Sequence, residues 1–179
     1  MGTASPLGAD RTVVGDVALL NAREHVDRFA DLIVRASSDA AFRNTSVPSA
    51  TVREDVVDWL TANPDWTVQL VVVSAEDVGY VALHPPILTE EAEAYADCLE
   101  TETYVLPGWH RKGVASAAWA LVLPTLPPGS RLVAEVWVDN APARQRLEKE
   151  GWQPVGTHWW QHPSREEING LCLRYVRTV

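Results

Sequence analysis

The sequence predicts an α+β protein, a mixed sheet covered by helices. Two observations carry that expectation. Antiparallel hairpin patterns flank a single β-α-β crossover, in the order αα, ββ, β-α-β-α, ββ. A chain of 179 residues, 46% hydrophobic and 22% charged, suffices for one domain with a proper core and is short for two. We therefore expect a flexible N-terminal tail over 1–10 and one domain over 11–179.

Asn21 stands three residues before Glu24 in a capping-box pattern, and Ala22, Val26, Phe29 and Ile33 recur at helical spacing. The first helix is therefore expected to start at Asn21. Thr51 and Glu54 repeat that signature. Val56, Trp59 and Leu60 form the apolar stripe of this second helix, and Asn63-Pro64 ends it. Trp66 to Val73 is rich in β-branched residues, Glu76-Asp77 reads as a turn, and Val78 to Leu83 resumes the strand, which makes a hairpin. After an acidic loop, Ala94 to Leu106 can form a long strand, followed by a helix from about Gly113 to Leu123 that Pro124 stops. Arg131 to Val138 is the next strand. Asn140 is the N-cap of a helix with Pro142 in its first turn, and Gly151 lies past its end. Trp152 to Gln161 and Ile168 to Arg177 form a last strand pair.

The formal net charge of -9 argues against a general nucleic-acid binder. No apolar run is long enough to cross a bilayer. Met1 to Asp10 lacks the basic and apolar regions of a secretory signal. The two cysteines, Cys98 and Cys172, lie in strand-like runs and read as buried reduced thiols of a cytoplasmic protein.

The stretch Tyr104 to Pro124, "YVLPGWHRKGVASAAWALVLP", turns from strand to helix through His110, Arg111, Lys112 and Gly113. A helix start carries backbone N–H groups without intrahelical partners and a partial positive charge, and glycine lets a ligand approach the backbone. A phosphate or pyrophosphate suits such a place. The N–H groups of Arg111, Lys112, Gly113, Val114, Ala115 and Ser116 would face it.

"LPGWHRKGVASAAW", leading through a strand to "VWVDNAPARQRLEKEGWQPVG", resembles the GNAT superfamily of acyl-CoA-dependent N-acyltransferases. Gly113 and Ala115 match the family's Q/R-x-x-G-x-G/A loop. Asn140, Ala143, Glu148, Lys149, Gly151 and Trp152 match its later Asn-x-x-Ala…Glu-Lys-x-Gly-Phe pattern. "VGYVALHPP" is similar to the family's third strand. These matches cover roughly residues 76 to 156, and the element order fits from about residue 13 to the end. The resemblance implies a GNAT-like, mostly antiparallel seven-stranded sheet with a central β-α-β crossover and about four helices. It also implies acetyl-CoA as co-substrate, its pyrophosphate held by the Arg111 to Ser116 loop. Its pantetheine arm would lie between splayed fourth and fifth strands, near the backbone of Tyr104, Val105 and Leu106, with Asn140, Ala143 and Arg144 on the other side. The plainer alternatives are that Val105 is core, Asn140 only caps its helix and Arg144 is a solvated arginine.

This chain departs from the family pattern at two positions. His110 replaces the usual Gln or Arg, which leaves the backbone cradle intact. Leu147 stands where many members place a tyrosine that protonates the leaving thiolate. Here another group does so, or the thiolate leaves with help from solvent.

Acyl transfer to an amine needs a neutral amine, a stabilised carbonyl oxygen and alignment of the two. The family often takes its base from the fourth strand, where Glu100 and Glu102 share one face and could raise each other's pKa. Either could be the base, or both could face solvent or a partner subunit. His158 and His162 would lie ~13 Å apart along a strand, too far for one zinc, and His25 and His84 have no visible partner. We expect no metal. Of the eight tryptophans, Trp59, Trp119 and Trp137 read as core. Trp159 and Trp160 point to opposite faces, so one could pack in the core while the other lines an acceptor cleft or a dimer contact. The expected function is an acetyl-CoA-dependent N-acetyltransferase for a small primary amine. The alternatives are acetylation of a protein N-terminus or lysine, and a non-catalytic acyl-CoA-binding module. Acceptor sites in the family are built from variable loops, here Ala36 to Ala50, Pro85 to Ala94 and Gln161 to Glu167, and a homodimer is a family-level expectation.

Overall fold

A computed structural model describes residues 16–39, 42, 45–47, 49–50, 52–87, 92–162 and 165–179, without the side chains of 92, 93, 161, 162 and 165–169. The expected tail over 1–10, the capping residue Thr51 and parts of the three variable loops lie outside the described residues. The chain forms β1 (Val17–Asn21), α1 (Val26–Ala36), α2 (Arg53–Ala62), β2 (Thr67–Val73), β3 (Glu76–His84) and β4 (Cys98–Val105). It continues with α3 (Val114–Val122), β5 (Arg131–Trp137), α4 (Ala141–Lys149), β6 (Gln153–His162) and β7 (Arg165–Thr178). One seven-stranded sheet has the order β1-β2-β3-β4-β5-β7-β6. Among the described residues its only parallel neighbours are β4 and β5, joined by the crossover through α3. The expected mixed, mostly antiparallel sheet with four helices is what forms.

Three local expectations differ. Asn21 ends β1 instead of capping α1. Its Oδ1 accepts from the Arg23 N–H at 2.9 Å and its Nδ2 donates to Glu24 Oε1 at 3.3 Å, so the helix begins only at Val26. A short polar side chain beside its own backbone offers a turn that competes with the helix. The β2–β3 turn is Ser74-Ala75, both left-handed (φ 50° and 69°), as a two-residue hairpin of this twist requires. Glu76 and Asp77 are thereby freed for the strand, and Asp77 receives Arg28 at 2.7 and 3.1 Å. The long strand expected from Ala94 starts only at Cys98, because Ala92–Tyr95 winds into a 3₁₀ turn.

Strand alternation sends side chains into two cores. On one face Val68, Leu70, Tyr80, Ala82 and Tyr104 pack under α1 and α2 with Phe29, Ile33 and Leu60. On the other, Val81, Leu83, Leu132, Ala134, Val136 and Tyr175 pack against Val114, Trp119 and Val122 of α3 and Leu147 of α4. Each such burial contributes roughly 1.5–3 kcal/mol before conformational entropy is counted.

Gly79 of β3 lies opposite Val105, at the end of β4. A Cβ there would overlap the Tyr104 carbonyl oxygen and sit 3.0 Å from Val105 Cα, both fixed backbone atoms. Gly79→Ala is expected to destabilise the fold by about 1–3 kcal/mol, measured by chemical denaturation.

Candidate active site

The sheet is continuous except at one place. β4 pairs with β5 only through Cys98–Arg131, Leu99–Leu132 and Glu100–Val133. Thr101 Oγ1 donates to the Val133 carbonyl at 3.2 Å and closes the apex. Beyond it the strands part, while β4 stays paired to β3 up to Val105 and β5 to β7 up to Trp137. The Leu106 N–H donates to the Val78 carbonyl at 2.8 Å, which marks that pair as hydrogen-bonded. Antiparallel ladders alternate, so the backbone groups of Tyr104 and Glu102 also face β3, and those of Val105 and Thr103 face the gap. Of the three predicted backbone contacts, only Val105 therefore presents its N–H to the gap. Leu106 has both groups engaged, its carbonyl accepting from the Trp109 N–H at 2.8 Å.

Next to the gap, the chain runs through a 3₁₀ turn, Pro107–Trp109, into α3. Arg111 (φ 61°) and Gly113 (φ 80°) are left-handed, and no side chain caps the helix. The first helical N–H with a backbone acceptor is that of Ala117, which donates to the Gly113 carbonyl at 2.9 Å. Among the described residues, the N–H groups from Arg111 to Ser116 have no backbone acceptor outside the helix. His110 is exposed, and its Nε2 lies 2.7 Å from the Val105 carbonyl oxygen. Lys112 lies over the Trp109 ring at 4.7 Å, and Ser116 Oγ donates to Glu150 Oε1 at 2.6 Å. Asn140 caps α4 by accepting from the Ala143 N–H at 3.3 Å. Arg144 is not a solvated arginine. It is half-buried and donates to the Val138 carbonyl at 2.7 Å.

Glu100 and Glu102 share the face under α1 and α2, as predicted, but their surroundings separate them. Both Glu102 oxygens are engaged. Oε1 accepts from the Tyr80 hydroxyl and Oε2 from the Ser46 N–H at 2.9 Å, so this carboxylate fastens the α1–α2 connection to the sheet. Tyr104 makes a parallel tie, donating to Asp39 at 2.8 Å. Burial raises the Glu102 carboxyl above its ordinary range, against the pull of those hydrogen bonds. Glu100 accepts only from the Ile87 N–H, at Oε2 and 2.9 Å, among the described residues. Its side chain is 13% exposed, and burial, with Glu135 and Glu102 adding, pushes its carboxyl up to about 8.

Sequence reasoning missed several of the site's residues. Glu135 of β5 receives Arg174 at 2.8 and 3.1 Å and has His158 Nε2 at 3.0 Å. Burial works to raise Glu135, but His158 and Arg174 outweigh it and hold the carboxyl below the usual carboxylate value. His84, expected to lack a partner, stacks on Trp66 at 3.7 Å and has Nδ1 2.7 Å from the Pro85 carbonyl oxygen and 4.0 Å from Glu100. Burial lowers its pKa to about 4, so the ring is neutral. Trp137, expected in the core, lines a pocket of about 40 Å³ with Glu100, Glu102, Ser46, Trp160 and Cys172. Trp160 is 8% exposed and turned inward, whereas Trp159 is 60% exposed. His25 immediately precedes α1, and the side chain of His162 lies outside the described residues. Glu135, Trp137 and Cys172 belong to strands far from β4 in sequence, so only the period-two pattern of "AEVWV" hinted that Glu135 and Trp137 share a face.

Glu102→Ala would leave the Ser46 N–H and the Tyr80 hydroxyl without an acceptor. We expect a loss of about 1–3 kcal/mol in denaturant unfolding, with faster proteolytic cleavage between α1 and α2.

No protein-family model and no curated protein matches the sequence. Solved structures do match the fold. An N-acetyltransferase from Staphylococcus aureus Mu50 superposes with a TM-score of 0.66 at 13% identity, over 92% of this chain and 99% of that one. An acetyltransferase of the GNAT family from Streptococcus pneumoniae gives 0.62 at 13%, over 92% and 99%. The Microcin C7 self immunity acetyltransferase MccE, in complex with acetyl-CoA and AMP, gives 0.68 at 13%, over 98% of both chains.

Proposed function

Because the chain has the GNAT acyltransferase fold, we propose that it is an N-acetyltransferase that moves an acetyl group from acetyl-CoA to the primary amine of a small molecule, by direct attack in a ternary complex. The parting of β4 from β5 beside an unpartnered run of backbone N–H groups carries this reading. Fold neighbours that bear the name acetyltransferase, one of them with acetyl-CoA bound, support it.

The residues present fit the co-substrate. The N–H groups of Arg111 to Ser116 would hold its pyrophosphate, with Arg111 and Lys112 adding positive charge. Asn140 and Ala143 would border the arm on the α4 side. The Val105 N–H points into the gap and would donate to the thioester oxygen as charge builds there. Glu100 would be the base. It has one oxygen free of a described protein donor, and its carboxyl titrates near the pH at which an amine must be relieved of a proton. Glu102, whose two oxygens are both committed, would serve as an anchor. Cys172 lines the pocket, but burial pushes its thiol up to about 12, which argues against a covalent acyl-cysteine and for direct transfer. The α1–α2 connection, tied down through Ser46 and Asp39, borders a pocket of only about 40 Å³, which favours a small-molecule acceptor over a protein chain.

Two measurements test this reading. Thiol release from acetyl-CoA should depend on added amine, and binding of coenzyme A with no such release would replace the enzyme by a binding module. The value of kcat/KM should rise with pH through about 8, since only the deprotonated Glu100 carboxylate accepts a proton. Glu100→Gln should lower kcat by roughly 10²–10⁴ and flatten that limb while acetyl-CoA still binds. Gly113→Val, which forces a β-branched side chain into left-handed backbone, is expected to weaken coenzyme A binding about tenfold by titration calorimetry.

A further inference from the structure

Trp137 ends β5, at a point where β4 has already turned away, so no strand lies beside it on that side. Its ring is half-buried and packs edge-to-face with Trp160, centroids 5.7 Å apart at 76°. Beneath it is Gly170 of β7, which pairs with Trp160. A Cβ at Gly170 would overlap Trp137 Cζ3 and lie 2.8 and 3.0 Å from Cε3 and Cη2. The ring holds its present position only because residue 170 has no side chain. Across the pocket stand Glu100 and Glu102, and the space between, about 40 Å³, admits an amino group or a water but not the body of an acceptor. That body must lie at the mouth, against the tryptophan.

We propose that Trp137, seated by Gly170, is the wall that selects the acceptor, favouring a primary amine carried on a flat, apolar body. This deepens the transferase reading and rests on it. The charges of the pocket favour the same class. Glu135 is matched by Arg174 and both Glu102 oxygens are committed to Tyr80 and Ser46, so among the described carboxylates of the pocket only Glu100 keeps an oxygen open, too little to hold a polycation. Discrimination falls to apolar and aromatic contact, which the exposed part of an indole supplies. Gly170 touches no substrate and acts as a positioning residue through Trp137.

The test compares kcat/KM for 2-phenylethylamine and n-hexylamine. The native protein should favour the aromatic amine about fivefold to tenfold. Trp137→Ala should bring the ratio close to one, and Trp137→Phe should restore most of it. Gly170→Ala should lower the ratio in the native background and leave it unmoved when Trp137 is already alanine, as a double-mutant cycle reads. A native protein that takes both amines equally, or a Gly170→Ala effect of the same size in both backgrounds, overturns the proposal. If neither amine releases thiol, the transferase reading fails for these amines, and the wall is read by titrating 2-phenylethylamine into protein saturated with coenzyme A. Binding that Trp137→Ala abolishes supports the wall, and absence of binding by the native protein overturns it.

Discussion

Everything at the site depends on how few residues hold β4 to β5. Three parallel pairs, closed by Thr101 on the Val133 carbonyl, join two halves of the sheet that are otherwise separately secured. β4 is fixed to β3 along six pairs, to α3 through Trp119 Nε1 on Thr103 Oγ1 at 2.7 Å, and to the α1–α2 connection through Glu102. β5 is fixed to β7 along seven pairs. Each half is held where the gap needs it, and Gly79 lets β3 follow β4 to its last residue. The gap then carries strand-edge N–H and carbonyl groups that no strand satisfies. Such groups are costly when buried dry, and an extended ligand with amides of its own answers them as a missing strand would. The gap also connects the two faces of the sheet. The N–H run begins α3, which packs on one face of the sheet, and the carboxylates stand on the other, under α1 and α2.

The same frame separates carboxylates that composition alone would treat as equivalent. Glu100, Glu102 and Glu135 share one face within a few residues of the apex. Glu100 is lifted mainly because water is withdrawn, with Glu135 and Glu102 adding and the Ile87 N–H and Arg174 only partly offsetting it. Glu135 suffers similar burial yet stays low, because the Arg174 guanidinium and His158 reach it. Glu102 is raised but spent on two donors. One neighbourhood thus holds a proton acceptor near neutrality, a permanent anion and a structural anchor, set apart by their partners alone.

The turn into α3, with its left-handed glycine and uncapped N–H groups, was legible in the sequence because all its parts are local. A glycine, a helix start and the residues between them lie within a few positions, and strand parity put Glu100 and Glu102 on one face without any knowledge of neighbours. The helix N-cap at Asn140 was legible for the same reason. What escaped depends on contacts between distant segments. Asn21 reads as an N-cap until β1 is seen to end there, since Val17 to Leu20 gains its identity as a strand only from β2. The division of labour between Glu100 and Glu102 is set by Tyr80, Ser46 and Ile87, which no spacing rule connects to them. Trp137 reads as core because a tryptophan on an alternating strand usually is, and only the departure of β4 leaves its ring at a pocket. The role of Gly170 follows from that ring alone.

The departure at Leu147 has a consequence for where protons go. Leu147 is 2% exposed and packed in the core, so the position cannot serve the leaving group even through water. The chain has four tyrosines, and each hydroxyl or ring is committed. Tyr80 donates to Glu102, Tyr104 to Asp39 and Tyr175 to Glu148, while Tyr95 lies beneath Arg174. Burial, with the carboxylate partners adding, raises Tyr80, Tyr104 and Tyr175, which makes each a poorer acid. No tyrosine stands in for the one the family pattern supplies. In the proposed reaction the base would come from the sheet, at Glu100, and none of the four tyrosines would supply the acid. That asymmetry suits a thioester, because a thiolate with a pKa of about 8.5 leaves without prior protonation, whereas an ammonium near 10 cannot attack until a base relieves it. Under the proposed reaction, a site that spends its buried groups on the amine, and leaves the sulfur to water and to the positive end of α3, would meet the harder half of the chemistry.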